Sequence, residues 1–145
     1  MHIILGGTGH VGSVAAAALL RQGEAVTVVT RDEGKAAFLA EQGAEVAVAD
    51  VRDIEALRQV FRRGRRAFLL NPPADPSTNT DAKERETVAA IVAALEGSGL
   101  EKVVAESTYG AQPGEGIGDL SVLYGLEQSS QPKLSRPASS VPLIT

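Results

Sequence analysis

The first dozen residues constrain the fold of this chain more than any other segment. The apolar run at residues 3–5 stops at a glycine cluster, which leads directly into a helix-forming run at residues 13–20. Glycines 7, 9 and 12 fit the pattern G-x-G-x-x-G, and glycines 6, 9 and 12 fit G-x-x-G-x-x-G. Between a strand and a helix, such glycines make a tight turn, admit phosphate to the backbone and let Gly12 pack on the strand. The unused N–H groups of the helix start then favour an anion, so we predict a dinucleotide pyrophosphate site, with a purely structural turn as the alternative.

Strand and helix patterns alternate along the rest of the chain, which predicts an α/β fold. Apolar, largely β-branched runs predict strands at residues 3–5, 25–30, 44–49, 67–70 and 102–105. Helices are predicted from the cap Asp32 to about residue 42, from the cap Asp53 over residues 54–63, at 81–96, and from the cap Asp119 to residue 128. Such alternation indicates a Rossmann-like, doubly wound parallel sheet with strand order 3-2-1-4-5 and a ligand at the carboxyl ends of strands one and four.

Composition narrows the class of protein. The chain has 145 residues, which suits one domain, and its net charge of −4 argues against a nucleic-acid partner. It contains no cysteine, which excludes disulfides, thiolate catalysis and cysteine zinc sites, and His2 and His10 have no convergent carboxylates that would complete a metal site. No apolar run approaches the roughly 20 residues of a membrane span, and no signal peptide precedes the first strand. We therefore expect a cytoplasmic protein with no metal and no membrane partner.

The end of the second strand bears on which dinucleotide is bound. In NAD-binding sites an acidic side chain near this position binds the ribose 2′-hydroxyl, but here the strand ends at Thr30-Arg31. The planar fork of Arg31 suits a 2′-phosphate, and Lys35 adds charge one turn later, which favours NADP over NAD. The alternative for Arg31 is a solvated side chain beside Asp32 and Glu33. Asp50 either accepts from the adenine amino group or serves as an ordinary turn carboxylate.

The chain resembles the NmrA-like proteins, which are atypical short-chain dehydrogenase/reductases with an NAD(P)-binding Rossmann domain. The resemblance covers residues 1 to about 128. Five segments in the family's order carry it: Gly6-Gly-Thr-Gly-His-Val-Gly12, Val29-Thr-Arg31, Ala49-Asp-Val51, Leu69-Leu-Asn-Pro-Pro73 and Glu106-Ser-Thr-Tyr-Gly110.

The resemblance implies a role for each matching position. The pyrophosphate would lie against the turn and helix start, namely Gly6, Thr8, Gly9, His10, Val11 and Gly12. Arg31, with Lys35, would hold the 2′-phosphate, Asp50 and Val51 the adenine, and Asn71 and Pro72 would lie near the nicotinamide ribose. The family includes NADPH-dependent quinone and azo-dye reductases as well as non-enzymatic redox sensors.

The chain departs from the common dehydrogenase pattern at its catalytic pair. The usual Tyr-x-x-x-Lys is not present, because Tyr109 is followed four residues later by Pro113 and Tyr124 by Gln128. That lysine lowers the pKa of the tyrosine, so tyrosine-driven carbonyl reduction is disfavoured and the catalytic residues stay unassigned. Transfer of hydride to a quinone or azo acceptor depends less on a protein acid.

Length is the second departure, since the family runs to about twice this chain. We expect an NAD(P)-binding domain at residues 1–128 followed by an irregular tail at 129–145. The genetic code allows residues 130–145 to be encoded by bases that also encode a second peptide. Read one position earlier, with a C in front, these bases give L-A-A-Q-A-I-P-A-S-I-V-R-A-A-Y-Y, which resembles the end of the family's next helix and its following strand. Our hypothesis is a frameshift near Gln128 that truncates the domain, and gene codons incompatible with the second frame would contradict it.

Three functions remain open at this point. The leading one is an NADPH-dependent oxidoreductase with a small-molecule acceptor of the quinone or azo type. The others are a non-catalytic NAD(P)-sensing module that binds a regulatory protein, and an inactive fragment. A sheet without its last strands would also leave an apolar edge open to self-association. The basic cluster at residues 62–66 is expected to be a solvated helix end, and Ser107 and Thr108 to face the cleft.

Overall fold

Five strands alternate with helices in the computed structural model, which describes residues 1–72, 75–107, 111–114 and 122–126. The strands are β1 (His2–Leu5), β2 (Val26–Thr30), β3 (Glu45–Val48), β4 (Arg66–Leu69) and β5 (Lys102–Ala105). The helices are α1 (His10–Arg21), α2 (Ala37–Glu41), α3 (Ile54–Arg62) and α4 (Thr80–Leu95), and a 3₁₀ turn at Glu33–Ala36 precedes α2. Residues 122–126 are also helical; the ends of the helix predicted at 119–128, and the predicted tail, lie outside the described residues.

The strands form one parallel sheet in the order β3-β2-β1-β4-β5, as the sequence predicted. In the register of the central strands, Ile4 of β1 pairs with Val28 of β2 on one side and with Phe68 of β4 on the other. The chain leaves β1 for one face of the sheet and later crosses to the other, so β1 and β4 flank the switch point where such sheets bind ligands. Within the described ranges no strand pairs with the outer edge of β5.

Apolar side chains cover both faces of the sheet, which accounts for the nearly continuous apolar sequences of its strands. Ile3 and Leu5 of β1 point into a cluster with α3 and α4 that includes Phe61 and Ile91. The intervening Ile4 points into a second cluster with α1 and α2, built around residues such as Ala16 and Leu39. The sheet is therefore a rigid platform, and its carboxyl edge holds the loops. No helix of the described segments is long and apolar enough to cross a membrane.

Two helices begin where the sequence did not predict. The N-cap of α1 is Gly9, so the helix includes His10, Val11 and Gly12 and starts three residues earlier than expected. Because glycine is a poor helix former, the sequence predicted that the helix begins only after Gly12.

Helix α4 begins at Thr80 rather than at residue 81. The Asn79 side chain caps it by accepting from the Ala82 backbone N at 3.2 Å. The cap Asp53 is confirmed, since it accepts from the Ala56 N at 3.0 Å. Asp32 also acts as a cap, although it begins the 3₁₀ turn rather than an α-helix.

Candidate nucleotide-binding site

The glycine turn brings the start of α1 into direct contact with the end of β1. Gly6 has a φ of +64°, a left-handed conformation that favours glycine, and its carbonyl accepts from the Gly9 N at 2.9 Å. A Cβ on Gly12 would lie 2.7 Å from the carbonyl carbon of Gly6 and 3.1 Å from the Cα of Gly7. Only a glycine at position 12 lets α1 pack this closely on the turn, as the sequence motif predicted.

The N-terminus of α1 lacks the compensating groups that α3 and α4 possess. Gly9 provides no side-chain cap, and the first turn of α1 contains no acidic residue. Helices α3 and α4 instead have side-chain caps and an acidic residue in the first turn, Glu55 and Asp81 respectively. The backbone N–H groups of residues 10–12 are not used by the helix itself, so the positive end of α1 is free to face an anion.

A cleft of about 500 Å³ opens beside this turn, at the carboxyl ends of the first four strands. Seven residues predicted for the site line it: Gly6, Thr8, Arg31, Lys35, Asp50, Val51 and Pro72. Nine further residues complete the lining: Val29, Thr30, Asp32, Ala49, Arg52, Asp75, Thr78, Lys83 and Thr87. The sheet thus gathers segments that are distant in sequence into one cavity of the size that small-molecule ligands occupy.

Two cationic residues of the cleft, Arg31 and Lys35, follow β2. The Thr30 hydroxyl bridges the turn that carries Arg31, since its Oγ1 lies 3.1 Å from both the backbone N and the carbonyl O of Asp32. The side chains of Arg31 and Lys35 make no hydrogen bond or ion pair with any described residue, although both line the cleft. The turn therefore presents two exposed cations at this end of the cleft, and the charge of Arg31 contributes to the lowered pKa of Asp50.

The carboxylates of the cleft are already engaged by protein groups. Asp32 Oδ1 accepts from the Gly34 N at 3.0 Å. Asp75 Oδ1 accepts from the Ser77 backbone N at 2.8 Å and from its hydroxyl at 2.7 Å. The Ser77 backbone and hydroxyl hydrogen bonds lower the pKa of Asp75. Both carboxylates keep their negative charge, because their partners are neutral N–H and O–H donors that fix the side chains in place.

Asp50 forms a two-point ion pair within the loop that follows β3. Arg52 donates from Nε to Oδ1 at 3.1 Å and from Nη2 to Oδ2 at 2.7 Å, and its backbone N donates to Oδ1 at 2.9 Å. These side-chain and backbone hydrogen bonds lower the pKa of Asp50 from 3.8 to about 2. Asp50 is therefore a turn carboxylate, as its alternative interpretation stated; whether it also accepts from an adenine stays a prediction.

Residues 6–125 match the model of a protein family described as NAD(P)H-binding. The chain belongs to this NAD(P)H-binding family. The match covers the glycine turn, the residues that line the cleft and strands β2 to β5. It confirms the resemblance to NAD(P)-binding proteins that the sequence motifs indicated. No functionally curated protein matches the chain in sequence.

Solved structures of NAD(P)-dependent enzymes share the fold of this NAD(P)H-binding domain. The triphenylmethane reductase of Citrobacter sp. superposes with a TM-score of 0.77 at 22% identity, covering 88% of this chain and 44% of the reductase. The same enzyme in complex with NADP(H) gives a TM-score of 0.74 at 21% identity over 89% of this chain. An NADPH-dependent quinone oxidoreductase of Escherichia coli, complexed with NADPH, gives 0.65 at 23% identity, covering 88% of this chain and 44% of that protein. The chain thus spans less than half the length of these reductases.

The remaining predicted residues of the site lie beside the cleft rather than in its lining. Gly9, His10, Val11 and Gly12 form the start of α1. Asn71 follows β4, and its Oδ1 is buried without a hydrogen-bond partner in the described part of the chain. A buried acceptor of this kind is costly unless a ligand or water satisfies it.

Other candidates from the sequence lie elsewhere in the fold. In the basic cluster at residues 62–66, Arg63 pairs with Glu45 and Arg65 pairs with Glu101, at the amino edge of the sheet and away from the cleft. Ser107 follows β5, whereas Thr108 and Tyr109 lie outside the described residues. No cluster of potential metal ligands occurs in the described segments.

Sequence reasoning missed several residues of the cleft, chiefly Arg52, Lys83 and Thr87. Arg52 has a detectable signal, because an arginine two residues after an aspartate in a turn is well placed for a local ion pair. Lys83 and Thr87 are four residues apart on α4, so they share one face of that helix. Which face of α4 meets the cleft depends on packing, which no local pattern specifies.

Proposed function

We propose that this chain is an NADPH-dependent oxidoreductase that transfers hydride to a small electron-poor acceptor of the quinone or azo type. The observation that carries the proposal is that Arg31 and Lys35, which make no hydrogen bond or ion pair with any described residue, share a cleft with the glycine turn beside the N-terminus of α1, which has no side-chain cap. This charge pattern suits a dinucleotide that has both a pyrophosphate and a 2′-phosphate.

The residues present fit this cofactor. The turn and the first-turn amides of α1 would hold the pyrophosphate, and Arg31 with Lys35 would hold the 2′-phosphate. Asp50 and Val51 would contact the adenine. Asn71 and Pro72 would lie near the nicotinamide ribose, whose hydroxyls can donate to the buried, unpartnered Oδ1 of Asn71.

The choice of acceptor follows from the chemistry that the chain lacks. NADPH would supply the hydride, and a quinone or azo acceptor depends less on a protein acid than a carbonyl does. The sequence has no Tyr-x-x-x-Lys pair to protonate a carbonyl oxygen. Two structural neighbours, a triphenylmethane reductase and a quinone oxidoreductase, are reductases by name, which supports the same reaction class.

A second candidate is a module that senses the NADP(H) pool and binds a regulatory protein without catalysing a reaction. The missing Tyr-x-x-x-Lys pair favours it, because binding needs only the cleft and not an acid. The two proposals share the nucleotide site and differ only in whether bound NADPH is consumed.

Mixing the purified chain with NADPH and a soluble quinone, and following NADPH oxidation, separates the proposals. The oxidoreductase proposal expects turnover that saturates with both substrates and is weaker with NADH. Binding of NADPH without turnover would favour the sensing module. A protein that binds neither NADPH nor NADH would refute the nucleotide site itself.

A further inference from the structure

Arg52 occupies a position in the cleft that the motif-based assignment of the site does not explain. It lies in the loop after β3, lines the cleft, and is held by the two-point contact with Asp50 described above. Both hydrogen bonds involve the edge of the guanidinium group that carries Nε and Nη2, so the contact fixes the plane of the group. Nη1 makes no hydrogen bond with any described residue.

Two carboxylates, those of Asp50 and Glu86, act on the charge of this guanidinium group. The hydrogen bonds and the charge of Asp50, and to a lesser degree the charge of Glu86 on α4, raise the pKa of Arg52. Glu86 in turn pairs with Lys83 at 3.5 Å, and Lys83 also lines the cleft. Arg52 and Lys83 thus line the same cavity from the β3 loop and from α4, respectively.

Part of the lining that Arg52 shares is apolar. Val29 at the end of β2 and Ala49 after β3 are buried, and Val51 is half-buried. An apolar wall beside a planar cation suits a flat aromatic ring, since an arginine guanidinium stacks on aromatic faces. Adenine is the only aromatic group of a dinucleotide that this end of the site would receive, if the pyrophosphate lies on the glycine turn.

We propose that Arg52 is a further nucleotide-binding residue that stacks on the purine ring of the bound dinucleotide, while Asp50 positions its guanidinium group. The proposal rests on the proposed function only in taking the cleft as the dinucleotide site. It assigns Arg31 and Arg52 to different parts of the ligand: Arg31 binds the 2′-phosphate, and Arg52 stacks on the face of the base.

Equilibrium titrations of the Arg52→Lys variant test this assignment, because lysine keeps the charge but loses the planar group. The ligands are NADPH, NADH and reduced nicotinamide hypoxanthine dinucleotide, whose base is planar but lacks the adenine amino group. We expect the affinity for all three to fall by about three- to tenfold, the range of a stacking contact with a cation. Arg65→Lys is the matched control, since Arg65 makes the same two-point contact with Glu101, at 3.0 Å for both bonds, at the opposite edge of the sheet.

Each other outcome overturns the proposal in a recognisable way. Unchanged affinity for NADH would leave Arg52 a structural partner of Asp50. A loss confined to NADPH would assign it to the 2′-phosphate, and a loss confined to the two adenine nucleotides would mean that it acts only by orienting Asp50. Equal melting temperatures of both variants and the unmodified chain confirm that the fold is intact. If Arg52→Lys does not fold, the same titrations are made with Arg52→Gln, for which we expect the same losses of affinity.

The proposed function fails by different results. If the unmodified chain binds NADH and NADPH but does not oxidise NADPH with a quinone, the oxidoreductase is refuted while the assignment of Arg52 stands. If it binds none of the three nucleotides, both are refuted.

Discussion

Replacing Gly12 by alanine tests the contact between α1 and the glycine turn. The added methyl would lie 2.7 Å from the Gly6 carbonyl carbon and 3.1 Å from the Gly7 Cα, whereas an ordinary contact needs 3.4–4 Å. Both neighbours are backbone atoms, so α1 must retreat by about 1 Å, and overpacking of this kind costs about 3 kcal/mol at the upper end of its range. Alanine regains about 1 kcal/mol because it is the better helix former. We expect Gly12→Ala to lower the free energy of unfolding by about 2 kcal/mol.

The same substitution should weaken NADPH binding, because the retreat of α1 moves its first-turn amides away from the pyrophosphate. Urea unfolding and calorimetric titration measure the two effects separately. Gly125→Ala is the control: Gly125 lies in the helical segment at residues 122–126, and no atom of the described residues lies within 4 Å of the position its Cβ would take. If Gly12→Ala matches the control in both stability and NADPH affinity, the close approach of helix and turn does not exist as described.

Two further predictions concern stability. Asp50 has a lowered pKa, so its pairing with Arg52 stabilises the fold above about pH 3.8 and is lost as the pH falls towards 2. Because these side chains are 35% and 48% exposed, Asp50→Asn should cost only about 1 kcal/mol at pH 7 and progressively less below pH 4, measured by urea unfolding across this range. Arg58 donates to the carbonyls of Ala93 and Glu96 at 2.9 and 3.0 Å, so Arg58→Ala should lower the unfolding free energy by about 1–2 kcal/mol in the same assay.

Each of these predictions has a result that contradicts it. For Asp50→Asn it is a difference from the unmodified chain that stays constant from pH 7 to pH 3. For Arg58→Ala the comparison is Arg62→Ala, because Arg62 makes a longer contact of 3.4 Å with the carbonyl of Gly97 at the same helix end. Equal losses in the two variants would show that the contacts of Arg58 with the end of α4 contribute nothing specific.

The sheet could be predicted from the sequence because its signals are local. Runs such as residues 26–30 are continuously apolar or β-branched, and their alternation with helical segments leaves few topologies once crossovers must be right-handed. The carboxyl ends of the strands then share one edge, so the glycine turn, Arg31, Asp50 and Pro72 were predicted to meet there. Gly6 and Thr8 of the turn line the cleft together with these three residues.

The rest depended on contacts that no local pattern contains. The start of α1 was placed too late because the helical role of Gly12 becomes visible only when its contact with Gly6 is known. Arg52, Lys83 and Thr87 were missed because their part in the cleft arises from the packing of α4 and the β3 loop against the sheet. Both interpretations of Arg31, the 2′-phosphate contact and the solvated side chain, stay predictions, because the side chain is exposed and makes no hydrogen bond or ion pair with any described residue.

The central claim is that this cleft binds a dinucleotide and reads its 2′-phosphate through Arg31. Titrating the unmodified chain and Arg31→Gln with NADPH and with NADH tests it most directly, with Arg65→Gln as a control for the loss of an exposed arginine. We expect the unmodified chain to bind NADPH more tightly, and Arg31→Gln to lose about 2 kcal/mol of NADPH binding, the scale of a charged hydrogen bond, with little change for NADH. Equal affinity of the unmodified chain for the two nucleotides, or equal losses for both in Arg31→Gln, would contradict the claim.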